Sequence, residues 1–394
     1  MSGVPELTAA AVAGAGDERP VVAGSGAGRP AVAGAADGRP SAASDSGRTL
    51  EWRAPFVLDL PRTLGVHARG RGDPAYQVTP DGYIWRTALT PEGPGTLRVA
   101  PARPAQAGSA RAGSMPAGSV HAGSAHAASA RAGSMPAGSA QSGSAAEPEP
   151  VTVIRAAAWG PGAGWLLREL PGMLGADDDR TGFAPAHPLL RELSARHPGV
   201  RVGRSGRVLE ALVPAVLEQK VVGAEARRAW RYLLLKFGDP APGPAPAGMR
   251  VSPPPRTWCR IPSWEWHRAG VEGVRARTII GAAEVAGRLE EIVTMPSADA
   301  DRRLRSLPGI GVWTSAEVRQ RACGDADAVS VGDYHLPARV GWALAGRRVD
   351  DAGMLELLAP YAGHRHRAAR LVELAGIAPP RHGPRMSIRD YRSF

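Results

Sequence analysis

The sequence predicts an α+β protein: a small antiparallel β-sheet domain near the N-terminus, then an all-α half. Three observations carry this. Strand-like alternation is confined to residues 49–100 and about 151–157. From about residue 186 the apolar residues recur with helical period instead. Two blocks, 1–48 and 101–148, are almost all Ala, Gly, Ser, Pro and Arg, with too few bulky side chains to offset the entropy of ordering. The organisation expected is a disordered low-complexity tail (1–48), a β-rich domain (49–185) holding 101–148 as a disordered insertion, an all-α domain (186–380) and a basic tail (381–394).

In the β-rich part, Glu51 to Leu60 is a first strand candidate. Gly82 to Leu89 alternates, with Tyr83, Trp85 and Leu89 on one face. Thr96–Val99 and Val151–Ala157 are two more, and Pro91-Glu92-Gly93-Pro94-Gly95 is a turn before the third. If 96–99 pairs with 151–157, the second low-complexity block is an enlarged hairpin loop. Growing such a loop from about 4 to about 48 residues costs roughly 2 kcal/mol of closure entropy, which a folded domain tolerates. The blocks are internally repetitive: Arg-Pro recurs at 19–20, 29–30 and 39–40, and RAGSMPAGS at 111–119 and 131–139. A solenoid needs a large apolar position in each repeat, and a lone Met is too little.

In the second half, Leu189, Leu190 and Leu193 share a helix face. Leu209, Leu212, Val213, Val216 and Leu217 form a second stripe, with Pro214 predicting a kink. Ala224–Phe237 is a third helix, followed by a Pro-rich connection over 239–255. Ile279, Ala282, Ala286, Leu289 and Val293 step as one helix face, and further helices are expected near 298–306, 312–323, 334–345 and 351–375.

Composition narrows the function classes. Of 394 residues, 49 are Gly and 37 Pro, a share close to that of low-complexity chains. The longest apolar runs fall well short of the 18 or so residues of a transmembrane helix, and no apolar signal core opens the chain, so a cytoplasmic protein with no membrane partner is expected. The two cysteines, Cys259 and Cys323, are too few for a disulfide scaffold, a four-cysteine zinc site or an iron–sulfur cluster. The net charge of +11 belongs to residues 186–394, with 32 basic against 21 acidic side chains. That points to an anionic partner, most simply nucleic acid, although a GC-rich coding sequence also inflates Arg, and only Lys220 and Lys236 are lysines.

One motif sharpens this. In Leu304-Arg305-Ser306-Leu307-Pro308-Gly309-Ile310-Gly311-Val312-Trp313-Thr314 a helix ends, Leu307–Gly311 turns, and a second helix starts. Gly309 and Gly311 permit positive φ and leave backbone N–H groups facing outward at a helix start, an anion site suited to a DNA phosphate. An ordinary αα-hairpin turn is the competing reading. Twenty-two residues beyond Gly311, an acid stands in a mostly apolar stretch, Val329-Ser330-Val331-Gly332-Asp333-Tyr334-His335-Leu336-Pro337, where it could also cap the next helix.

With these residues in view, the chain resembles the helix–hairpin–helix base-excision DNA glycosylases, most closely the DNA-3-methyladenine glycosylase II (alkylation-repair) type. The resemblance extends to Thr49–Phe56, similar to the start of that family's small N-terminal sheet, and to Val213–Ala226, similar to its first core helix pair. It implies that Asp333 is catalytic, that Trp313 and Tyr334 form the base pocket, and that Leu307, Pro308, Gly309, Ile310 and Gly311 contact DNA together with Gln219 and Lys220. Lys220 stands where the family inserts an apolar wedge into the duplex. It further implies a monovalent cation, Na⁺ or K⁺, on the backbone carbonyls of Arg305, Leu307 and Ile310, with no other cofactor required. Relatives that also cleave the backbone carry a Lys two residues past the second hairpin glycine, where this chain has Trp313. The activity implied is therefore monofunctional: flipping of alkylated bases (3-methyladenine or 7-methylguanine type) from double-stranded DNA and hydrolysis of the N-glycosidic bond by a monomer, leaving an abasic site. Two departures are Gly332, where the family has a second acid, and Glu317, where it has an aromatic. The alternative is a non-catalytic damaged-DNA or architectural DNA-binding protein; a third reading, a glycosylase/lyase, is disfavoured by Trp313.

Weaker features close the reading. His364-Arg365-His366 fits no common zinc spacing. Arg365, Arg367 and Arg370 form either a phosphate face or a solvated one, and Trp258, Trp264 and Trp266 read more readily as core residues than as a nucleobase platform.

Overall fold

The computed structural model describes residues 47–101, 103–104 and 152–380. The remainder of the two low-complexity blocks and the basic tail lie outside the described residues.

A mixed-length antiparallel sheet opens the chain: β1 (Arg48–Ala54), β2 (Tyr76–Val78), β3 (Ile84–Thr90), β4 (Gly93–Val99), β5 (Arg103–Pro104) and β6 (Thr152–Trp159). Its order is β1-β6-β4-β3-β2, with β5 also on β6. β4 pairs with β6 in the register Thr96↔Trp159 to Val99↔Ala156, so the second low-complexity block is spliced between paired strands. The turn between β3 and β4 is tighter than the sequence indicates: Thr90 pairs with Gly93, leaving only Pro91 and Glu92 at the tip. The first strand runs 48–54 rather than 51–60, because Asp59 caps a helix, α1 (Leu60–Leu64), accepting from Arg62 N–H at 3.0 Å.

One face of the sheet packs on α1 and on α2 (Ala163–Met173), through Leu97, Ile154, Leu166, Leu170 and Met173. The β-rich segment therefore carries two helices that its Gly and Pro content disguises. On the other face Trp85 stacks on Trp159, with Met249 against them. The Pro-rich connection thus covers the sheet. It folds as a two-stranded ribbon, β7 (Asp239–Pro240) with β8 (Arg250–Val251), and Thr87 Oγ1 donates to Arg250 O at 2.6 Å.

The helical half comprises α3 (Pro188–Arg196), α4 (Val208–Leu217), α5 (Gly223–Phe237), α6 (Pro255–Arg260), α7 (Ser263–Ala269), α8 (Gly273–Glu284), α9 (Ala286–Glu290), α10 (Ser297–Arg305), α11 (Val312–Val318), α12 (Leu336–Ala345), α13 (Asp351–Leu358) and α14 (Arg365–Leu374). Every residue of α4 is buried except Glu210, and α5 to α11 contribute to the core around it. Each such Leu or Val removed from water stabilises the fold by about 1.5–3 kcal/mol. The Glu210 carboxylate instead ties α4 to the sheet, accepting from Leu89 N–H at 2.6 Å and pairing with Arg86 at 3.3 Å. A separate cluster joins α3 to α12, α13 and α14 through Leu190, Leu193, Val340, Met354 and Val372.

Two expected long helices are broken. The 279–293 stripe is interrupted at Val285, where α8 ends and α9 leads into a 3₁₀ turn, Glu291–Thr294. The 351–375 stretch divides at a 3₁₀ turn holding Pro360 and at Gly363, which has φ +86°. Past Val318, α11 widens into a π-turn, Arg319–Cys323. Arg365, Arg367 and Arg370 are neither a phosphate face nor simply solvated. They pair with Asp327 (2.5 Å), Asp178 (2.6 Å) and Glu373 (3.3 Å). Trp258 and Trp266 are buried and stacked, whereas Trp264 is exposed. No helix among the described residues is long and apolar enough to cross a membrane.

Candidate functional site

The hairpin forms where α10 ends at Arg305 and α11 begins at Val312. Leu307 O accepts from Ile310 N–H at 3.2 Å, closing the turn, and Ile310 is buried in the main core. The two glycines differ. Gly309 has φ +84°, and a Cβ there would lie 2.0 Å from Thr278 Oγ1 on α8, so glycine is required twice over. Gly311 has φ −95°, and a Cβ there would meet nothing within 4 Å. The sequence expectation of positive φ thus holds for Gly309 and fails for Gly311, whose bare face opens to solvent. Gly311 is also the N-cap of α11, and no side chain caps that helix.

Gln219 reaches the hairpin from the end of α4. Its Nε2 donates to Gly309 O at 2.9 Å and to Thr314 Oγ1 at 2.8 Å, so the amide is committed to bracing the turn. The next residue, Lys220, is exposed at the apex of the α4–α5 turn with φ +54°. It is the only non-glycine with positive φ among the described residues, a conformation that costs roughly 1 kcal/mol or more.

Asp333 lies in the loop before α12. Its Oδ1 accepts from His335 N–H at 2.7 Å and Leu336 N–H at 2.8 Å, which caps that helix. Its Oδ2 accepts from Trp313 Nε1–H at 3.1 Å. The structure therefore joins the two residues singled out as pocket wall and acid, and the capping reading of Asp333 holds. Tyr334 is placed differently from the pocket wall expected of it: it is 87 % exposed, with its ring edge-on to His335.

The next turn of the helix is ionic. Glu317, one helical turn on, accepts from Ser330 Oγ at 2.5 Å and pairs with Arg321 at 2.7 Å. Asp333 N–H donates to Ser330 O at 3.2 Å, so this network props the acid's loop. Arg321 Nε also donates to Val66 O at 3.2 Å, bringing the loop after α1 to the site, and Arg69 on that loop faces Glu218 at 3.7 Å. Burial among these guanidiniums holds two histidines neutral. His67 lies well below its usual range, and His366 is pushed down to about 3 by burial, then by Arg321, Arg370 and Arg367. The cavity behind Arg69, lined also by His67, Tyr76 and Arg86, has a volume of only about 30 Å³, room for water but not for a base. Sequence reasoning missed Arg69, Glu218 and Arg321, since no local pattern links residues 66–69 to 218 and 321.

No protein-family model and no curated protein matches the sequence. Solved structures match by shape. A 3-methyladenine DNA glycosylase from Archaeoglobus fulgidus superposes with TM-score 0.56 at 15 % identity, over 82 % of this chain and 98 % of that one. MBOgg1 in complex with a low-affinity DNA ligand gives 0.55 at 13 %, covering 84 % and 95 %. A Clostridium acetobutylicum 8-oxoguanine glycosylase/lyase, bound to double-stranded DNA with cytosine opposite 8-oxoguanine, gives 0.52 at 10 %, covering 81 % and 92 %. With a sheet, a hairpin and an acid-bearing loop in that chain order, this protein has the fold of the helix–hairpin–helix base-excision DNA glycosylases.

Proposed function

We propose that this chain is a monofunctional DNA glycosylase of base-excision repair, acting on alkylated bases in double-stranded DNA as a monomer in the cytoplasm. The observation that carries the reading is the Trp313 Nε1–Asp333 Oδ2 contact at 3.1 Å, which joins an indole beside the hairpin to a carboxylate on a separate loop. The uncapped start of α11 accepts one DNA phosphate, and the net charge of +11 favours the polyanion. Lys220, at the exposed turn beside the hairpin, faces the gap left when the base leaves the stack.

Asp333 then acts on the sugar. An alkylated purine carries a formal positive charge and departs readily, so the chemistry still required is stabilisation of developing oxocarbenium charge and orientation of a water. A carboxylate held by two backbone N–H groups and an indole N–H is oriented before reaction, and its remaining lone pairs face those tasks. Trp313 offers a ring face to an electron-poor base and no amine, so water displaces the base and the backbone stays intact. A monovalent cation at Arg305, Leu307 and Ile310 belongs to the same proposal. Leu307 O accepts one hydrogen bond, from Ile310 N–H, and a carbonyl has a second lone pair to offer.

The test is incubation of the protein with a methylated duplex, followed by chromatography of free bases and by assays for abasic sites and strand breaks. Free alkylated base with abasic sites and no breaks is expected. Tight binding with no base released would establish the architectural binder instead.

A further inference from the structure

We infer that Glu218 and Arg69 read the hydrogen-bonding edge of the flipped base and select guanine-type lesions over adenine-type ones; this rests on the glycosylase function proposed above. The contacts of the site close into a ring. Asp333 meets Trp313, and Glu317, a turn beyond Trp313, meets Arg321. Arg321 holds Val66, and Arg69, three residues on, faces Glu218. The neighbouring Gln219 returns to Thr314, beside Trp313. With Arg69 only 8 % exposed and about 30 Å³ of cavity behind it, a base stacked on Trp313 meets Glu218 at the rim of this ring and reaches Arg69 only as the ring opens around it.

Within the ring, most hydrogen-bonding capacity is already used. Glu317 is committed to Ser330 and Arg321, and the Gln320 amide to Ala328 O (2.8 Å) and Ser330 Oγ (2.9 Å). Gln219 is committed to the hairpin. Glu218 is the exception. Its side chain is 30 % exposed, and its pairing with Arg69 at 3.7 Å is too long for a hydrogen bond. Among the described residues no hydrogen bond to its carboxylate is formed.

The chemistry of the free groups then discriminates. Two carboxylate oxygens match two adjacent donors, which guanine presents at N1 and N2, while O6 matches a guanidinium. Adenine alternates donor and acceptor and is matched by an amide, and the N–H donors of both amides of the ring are already used. Alkylation at N3 or N7 leaves guanine's N1, N2 and O6 edge intact, so the selection is compatible with a damaged base as substrate.

The experiment uses methylated duplex DNA, from which 7-methylguanine and 3-methyladenine are resolved by chromatography, each rate being divided by its spontaneous loss. The wild-type chain should favour 7-methylguanine. Glu218→Gln should lower 7-methylguanine release by about 10- to 100-fold, with 3-methyladenine release changed little; Arg69→Lys should shift the ratio in the same direction. Melting temperature and undamaged-duplex affinity establish that each variant is folded. Equal loss of both bases, unchanged 7-methylguanine release in a folded Glu218→Gln, or a wild-type preference for 3-methyladenine overturns the selection and leaves the glycosylase reading standing. Release of neither base by the wild type overturns both.

Discussion

Two loops of the site each lead into a helix, and they treat the first turn in opposite ways. Before α11, Gly311 supplies no side chain, and its exposed face has nothing near it. Before α12, Asp333 satisfies two N–H groups with one oxygen. Unpaired N–H groups at a helix start need an acceptor. The second loop carries its own, whereas no side chain supplies one at the first. The filled loop also uses its acceptor twice, since the same carboxylate presents its other oxygen to Trp313.

The most severe way to break the contrast is Asp333→Asn. Asn caps helices as well as Asp does, so the melting temperature should stay within about 2 °C. Base release in single turnover should nevertheless fall by about 10²- to 10³-fold. A folded variant with near-normal release would remove Asp333 from the chemistry.

Trp313→Phe keeps a ring and deletes the indole N–H that holds Oδ2. Hydrogen bonds to charged groups are worth about 1.5–3 kcal/mol, so release should drop by roughly 10- to 100-fold. Affinity for undamaged duplex should stay the same, and a parallel loss there would mean that the indole supports the hairpin.

The glycines divide by kind of effect. Gly311→Val should leave the melting temperature unchanged, weaken binding to every duplex, and reduce the salt dependence by about one phosphate's worth. Gly309→Val should lower the melting temperature by several degrees, because positive φ and the Thr278 contact both penalise it. Unchanged duplex binding by Gly311→Val would reduce the hairpin to a structural turn.

Acid should act on the junction beneath the filled loop. His366 has a folded-state value of about 3 against 6.5 for the free side chain, so between those values the unfolded chain binds more protons. Stability should decline as pH falls from about 6.5 toward 3, and His366→Leu should flatten thermal denaturation curves across that window. The smallest effect expected is that of replacing residues 105–148 by a short turn, which leaves both loops and β5 untouched. It should keep base release unchanged, with closure entropy gaining about 2 kcal/mol at most; a large fall in melting temperature would show that the segment contributes contacts.

Much of this was legible because its signals are local. Leu307–Gly311 announces a turn by its own residue types, and Asp333 announces a helix start. The strands at 84–90 and 152–159 follow from alternation. Other elements were obscured by composition. Helix α2 contains Pro171, Gly164 and Gly172, and α6 begins at a proline within a stretch that reads as linker. The breaks at Val285 and near Pro360 interrupt otherwise regular stripes, where tertiary packing overrides periodicity. The ionic ring was illegible for a different reason. Beyond the i,i+4 pair Glu317–Arg321, it joins the Val66 carbonyl, Arg69, Glu218 and Arg321, and no periodicity links residues across such separations.

The double duty of Asp333 has a consequence for how the sequence can drift. Where a reactive group sits in strain, losing it relieves the fold, and inactive descendants are stabilised. Here most replacements would uncap α12 as well as remove the acid, at roughly 0.5–2 kcal/mol. Purifying selection for an intact fold alone would therefore retain Asp, Asn, Ser or Thr at position 333. A lineage that abandoned the proposed chemistry would keep a conservative relic there rather than a random residue.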